Sequence, residues 1–105
     1  ILVDTKVNQG YFITKAEAKE VLKRAVHVED MILSKHCKER MKQRRINYSD
    51  ICYVIFWGSI TEVEFNKEFG EWNCEVSGTD ESGERIRFIA AFSDQDTTVV
   101  CITVI

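Results

Sequence analysis

Residues 60–76 read ITEVEFNKEFGEWNCEV, and residues 84–105 read ERIRFIAAFSDQDTTVVCITVI. In the first stretch Thr61, Val63 and Phe65 alternate with Glu62 and Glu64, and after a turn Trp72, Cys74 and Val76 resume the period. In the second, Ile86, Phe88, Ala90 and Phe92 alternate with outward Arg85 and Arg87. Successive side chains of a strand point to opposite faces, so this pattern predicts strands buried on one side. Turns are expected at 66–70, 78–83 and 93–96, where Asn, Asp, Ser and Gly gather. Such short connections make consecutive strands antiparallel neighbours. The last strand, 97–105, is apolar on both faces, which predicts a covered position in the sheet. Glu62 and Glu64 discourage pairing at an edge.

Upstream the period is helical. Thr14-x-x-Glu17 is a capping box, and Ala18, Val21, Leu22, Ala25 and Val26 follow as one apolar stripe. This helix should fade near His27, read as a helix-end residue. Met31-Ile32-Leu33 reads as a short apolar connector. Ser34 is a good cap for a second helix over 35–44, and Asn47 for a third, with Asp50 in its first turn and Ile51, Val54 and Ile55 buried. Gly58 is expected to close that third helix, and Trp57 and Trp72 are expected in the core. The predicted architecture is α+β, with three N-terminal helices packed on one face of a four-stranded antiparallel sheet. Residues 1–12 are expected as an N-terminal extension and 13–105 as a single domain.

The chain has 105 residues, 45% hydrophobic and 30% charged, enough for one modest core. No apolar run reaches the ~18–20 residues of a membrane span, so no membrane partner is expected. Ile1 to Gly10 shows no basic-then-apolar export pattern, and a cytoplasmic location is the expectation. Cys37, Cys52, Cys74 and Cys101 have no C-x-x-C spacing, and each falls in a predicted helix or strand. They are read as free thiols in a reducing compartment, the alternative being a disulfide between strands. Two histidines and dispersed acids offer no ligand constellation, so no metal and no cofactor is expected.

Net charge is −3, yet the charge is unevenly spread. Residues 35–45 hold six of the fourteen basic residues against one acid, while 62–84 hold eight of the seventeen acids against one base. A local basic face can bind phosphate whatever the whole-chain sum. On a helix, with His36 at 0°, Arg40 falls near about 40° and Arg44 near about 80°. Cys37 and Met41 fall near about 100° and 140°, the core stripe. One imidazole and two guanidinium groups thus share an edge beside the buried face. His36 follows Ser34 closely, at a helix end whose amides favour an anion. An imidazole there can take a proton from a hydroxyl, and arginines on the same edge can hold phosphate charge. Each residue also has a plain structural reading: His36 as a capping or hydrogen-bonding group, Arg40 as a structural guanidinium with its stem on apolar surface. Lys38 and Lys42 read as solvated or as steering RNA, and Thr103 as a strand former. His36 and Cys37 point about 100° apart, which argues against a thiolate–imidazole pair.

The pattern S-x-H-x-x-x-R-M-x-x-R-x-I over Ser34 to Ile46, the Asp50-Ile51 pair, Gly58-Ser59-Ile60 and the terminal Ile102-Thr103-Val104 together resemble the bacterial domain of unknown function 4258. The resemblance covers about residues 13–105. It implies a RelE/barnase-like fold and kinship with the RelE, MqsR and barnase-like ribonuclease toxins. It further implies a metal-independent endoribonuclease toxin whose partners are an RNA substrate and a protein antitoxin of the MqsA kind. The site it implies is His36 and Arg40, with Arg44 and Thr103 as further members and Lys35, Lys38, Lys42 and Arg45 contacting RNA. Two positions depart from the family pattern: Cys37, where a small residue usually follows the His, and Arg45, where Gly commonly precedes the Ile. The competing function is a non-catalytic protein- or RNA-binding module that uses the basic helix 35–45.

Overall fold

The computed structural model describes residues 12–94 and 96–105. Most of the expected N-terminal extension, and Gln95 of the last turn, lie outside the described residues. The elements are α1 (Lys15–His27), β1 (Met31–Leu33), α2 (Lys35–Arg44), α3 (Tyr48–Trp57), β2 (Ser59–Asn66), β3 (Glu71–Thr79), β4 (Arg85–Ser93) and β5 (Asp96–Val104).

The caps set the helices. The Thr14 hydroxyl accepts from the Glu17 amide at 3.0 Å while the Glu17 carboxylate accepts from the Thr14 amide at 2.8 Å. Asn47 and Asp50 form the same reciprocal pair at α3. These residues supply partners to amides that a helix start leaves bare. Ala18, Leu22 and Ala25 of α1, Cys37 and Met41 of α2, and Ile51, Val54 and Ile55 of α3 are buried. They join Trp72, Cys74, Val76, Phe88, Ala90 and Cys101 in a single core, so the three helices cover one face of the sheet.

The sheet corrects the expected architecture. Among the described residues it has five strands in the order β1-β5-β4-β3-β2, and β1 pairs with β5 in parallel. The sheet is therefore mixed, not a four-stranded antiparallel one, and a strand separates α1 from the other helices. The stretch expected as a connector, Met31-Ile32-Leu33, is that strand, in register with Val99, Val100 and Cys101. Placing β1 beside it puts β5 inside the sheet, with Val99, Cys101 and Val104 buried on the core face and Val100 and Ile102 half-buried. β2, carrying Glu62 and Glu64, is an edge among the described residues. The other strand pairs are antiparallel.

Three finer expectations change. A bulge between Ile60 and Glu62 turns both Ile60 and Val63 toward the core and leaves Thr61 exposed. Trp72 is buried, between Phe65 and Phe92 at 5.0 and 5.9 Å, but Trp57 is 75% exposed. Gly58 follows α3 in extended rather than left-handed backbone. Its need for glycine is one of space, since a Cβ there would lie 2.5 Å from the Ser77 carbonyl oxygen.

Candidate functional site

Everything at the site hangs on how α2 is fastened to β5. One hydroxyl does two jobs: Ser34 Oγ accepts from the Cys37 amide at 3.0 Å, capping α2, and donates to the Ile102 carbonyl at 2.7 Å. The Ser34 amide donates to the Cys101 carbonyl at 3.0 Å. Below the helix the buried Cys37 thiol lies 3.1 Å from that of Cys101. Further along, Arg40 Nε donates to the Val104 carbonyl at 3.1 Å and Arg44 Nη1 to the Ile105 backbone oxygen at 2.6 Å. These contacts advance together along both elements, so α2 runs beside β5 in the same direction.

The predicted site residues are partly brought together. His36 is exposed on the first turn of α2, and its ring has no hydrogen-bond partner among the described residues. Arg40 is half-buried and Arg44 exposed, on the same edge at one and two further steps of four residues. The axial distance from His36 to Arg44 is about 12 Å. Lys35, Lys38 and Lys42 are exposed. Thr103 stands apart. It pairs with Ile89, whose neighbours Phe88 and Ala90 take the core face, so Thr103 belongs to the face away from α2. Its hydroxyl donates to the Val104 carbonyl at 3.2 Å.

Arg45 closes α2 in the left-handed conformation, with φ 59° and ψ 43°. The Ile46 amide bonds back to the Met41 carbonyl at 2.9 Å, the Schellman arrangement that glycine ordinarily completes. A side chain in this conformation costs roughly 1–2 kcal/mol.

Beyond that end of the helix lies a cleft of about 390 Å³. Arg44 and Arg45 line it from α2, and Asp80 and Glu84 from the β3–β4 turn, over apolar Ile86 and Val104. Asp80 Oδ1 is consumed by its own turn, accepting from Ser82 Oγ at 2.7 Å and from the Ser82 and Glu84 amides at 2.8 and 2.9 Å. The Ser82 hydroxyl, followed by the Glu84 amide, holds this carboxyl below its ordinary range. The Glu84 carboxylate is exposed and has no such partner among the described residues. Arg85 also lines the cleft, but its Nη2 donates to Ser77 Oγ at 3.2 Å, along the strand pair. Neither Glu84 nor the cleft was found from sequence. The turn is legible there, but its approach to the end of α2 is not.

The burial of the thiols is uniform in effect. Burial pushes Cys74 up to about 12 and also raises Cys37 and Cys101. All four cysteines are free. Among the described residues no group of three or more His, Cys, Asp or Glu is placed to hold a metal ion, and no helix is long and apolar enough to cross a membrane.

No curated protein and no solved structure matches the chain. A family model described as Domain of unknown function (DUF4258) matches residues 33–105. That span takes in α2, α3 and all of β2 to β5, including every contact that fastens α2 to β5. The chain belongs to the family Domain of unknown function (DUF4258).

Proposed function

We propose that the protein is a metal-independent endoribonuclease of the toxin kind, acting on RNA in the cytoplasm and neutralised by a protein antitoxin. The observation that carries this reading is the placement of His36: an exposed imidazole on the first turn of α2, in line with Arg40 and Arg44. In the reaction, the RNA 2′-hydroxyl attacks the adjacent phosphorus while His36 takes its proton. The bond to the 5′-oxygen breaks, that oxygen gains a proton from water, and a 2′,3′-cyclic phosphate and a 5′-hydroxyl result. Arg40 holds the charge that builds on the phosphate through donors that its Val104 bond leaves over. Only RNA has the attacking hydroxyl, so the chemistry itself selects it. A positioned imidazole contributes about 10²–10⁴ in rate and a fixed charge donor about 10²–10³. Together these are about 5–10 kcal/mol, enough for slow cleavage.

The test is induced expression of the wild type beside His36→Ala, with the purified proteins incubated with RNA and the ends of the products analysed. Growth arrest and cyclic-phosphate ends are expected for the wild type alone. Harmless wild type with intact RNA, or His36→Ala as active as wild type, overturns the proposal. A second reading, a non-catalytic binding module, is favoured by the bonds of Arg40 and Arg44 to the Val104 and Ile105 backbone oxygens, which are structural uses of both side chains. It predicts salt-sensitive RNA or protein binding without cleavage.

A further inference from the structure

We infer that the cleft between the end of α2 and the β3–β4 turn is a ribonucleotide subsite, in which Arg44 and Arg45 hold a phosphate and Glu84 accepts hydrogen bonds from the sugar or base. The choice of ligand rests on the ribonuclease reading; the shape and lining of the cleft do not. Its volume of about 390 Å³ is that of a small-ligand pocket. The helix side carries Arg44 and Arg45, and the turn side carries Asp80 and Glu84 together with Arg85, whose Nη2 donates to Ser77 Oγ. No ion pair between the two walls is present among the described residues. A ligand that fits such a cleft carries an anion at one end and hydrogen-bond donors at the other, as a nucleotide does.

Two observations sharpen the roles. Arg44 uses Nη1 for the Ile105 backbone oxygen, which fixes the guanidinium and leaves further N–H donors for an anion. Arg45 occupies a left-handed position that glycine would fill without strain, so its side chain is kept there against the local preference of the backbone. On the turn side Asp80 Oδ1 is occupied by hydrogen bonds within the turn, whereas Glu84 offers both carboxylate oxygens to a ligand. The cleft lies about 12 Å along α2 from His36, the rise of three to four stacked nucleotides at about 3.4 Å each. It would therefore hold a nucleotide beyond the scissile one.

A mononucleotide has no internucleotide bond to cut, so binding can be read apart from catalysis. The experiment titrates the full chain with the four ribonucleoside 3′-monophosphates and with inorganic phosphate, following backbone amide shifts. Shifts are expected at residues 44–46 and 80–85, with nucleotide held more tightly than phosphate. Arg45→Gly should weaken both ligands about tenfold while its melting temperature holds or rises. Glu84→Gln should weaken nucleotide and spare phosphate. Shifts elsewhere, unchanged affinity in Arg45→Gly, or phosphate bound as tightly as nucleotide overturns the subsite. Nucleotide in the cleft with RNA left intact would sink the ribonuclease and keep the subsite; RNA cleavage with an empty cleft would do the reverse.

Discussion

Arg40 donates its Nε–H to the carbonyl of Val104 at 3.1 Å, tying the middle of α2 to the last turn-free stretch of β5. The same residue is the candidate charge donor, so its loss has two consequences. A hydrogen bond from a charged donor contributes about 1.5–3 kcal/mol. Arg40→Ala should therefore lose roughly 1–2 kcal/mol in urea unfolding. His36→Ala, at an exposed position, should stay within about 0.5 kcal/mol. If Arg40→Ala unfolds at the wild-type urea concentration, the tie carries no energy and any loss of activity is chemical alone.

Gly58 and Gly78 face each other where the end of α3 meets β3. A Cβ on Gly58 would sit 2.5 Å from the Ser77 oxygen and 2.7 Å from the Val54 oxygen, both backbone atoms. A Cβ on Gly78 would meet the Gly58 Cα, also backbone, at 3.0 Å and a Val54 methyl at 3.2 Å. The contacts at Gly58 are the closer and demand the larger shift. Gly58→Ala should lose about 2–3 kcal/mol and Gly78→Ala about 1 kcal/mol in chemical denaturation. Equal losses would contradict the geometry.

These contacts show what a sequence can and cannot disclose. The strand faces were legible from Trp72-Cys74-Val76 and Ile86-Phe88-Ala90-Phe92, because a period of two survives any tertiary arrangement. The caps at Thr14, Ser34 and Asn47 were legible because capping is local. β1 was not. Three residues carry no period, and their partner β5 lies more than sixty positions later. Trp57 was misplaced although helical periodicity puts it about 120° off the Ile51-Val54-Ile55 stripe. The shared edge of His36, Arg40 and Arg44 was legible from spacing. The cleft was not, because it needs the β3–β4 turn to reach the end of α2. Arg45 lacks the glycine that announces a left-handed close, so the residue itself pointed away from the motif it completes.

Asp30 fastens the loop before β1 to β5, its two carboxylate oxygens accepting from Thr97 Oγ1 at 2.6 Å and Thr98 Oγ1 at 2.9 Å. These hydroxyls, Thr97 first, lower its pKa below 3.8. The unfolded chain then binds more protons than the folded one as pH falls through this window, so the stabilisation present above it is lost toward acid. Asp30→Asn should flatten the acid limb of a melting-temperature profile below pH 4. An unaltered limb would show that the carboxylate does not titrate with unfolding.

The alkaline limb has the opposite cause. Cys74 is fully buried and its thiol is pushed from 9.0 up to about 12, with Cys37 and Cys101 raised as well. Above pH 9 the unfolded chain releases these protons while the folded chain keeps them, so stability present below that pH falls as pH rises. At one unit above the unfolded value the Cys74 thiol costs about 1.4 kcal/mol. Urea unfolding at pH 8 and pH 10 should therefore show a large loss for the wild type. Cys74→Ala should start less stable at pH 8, from the lost sulfur, yet lose about 1 kcal/mol less between the two pH values. An identical drop in both proteins would mean that the Cys74 thiol ionises as easily folded as unfolded, against its burial in the core.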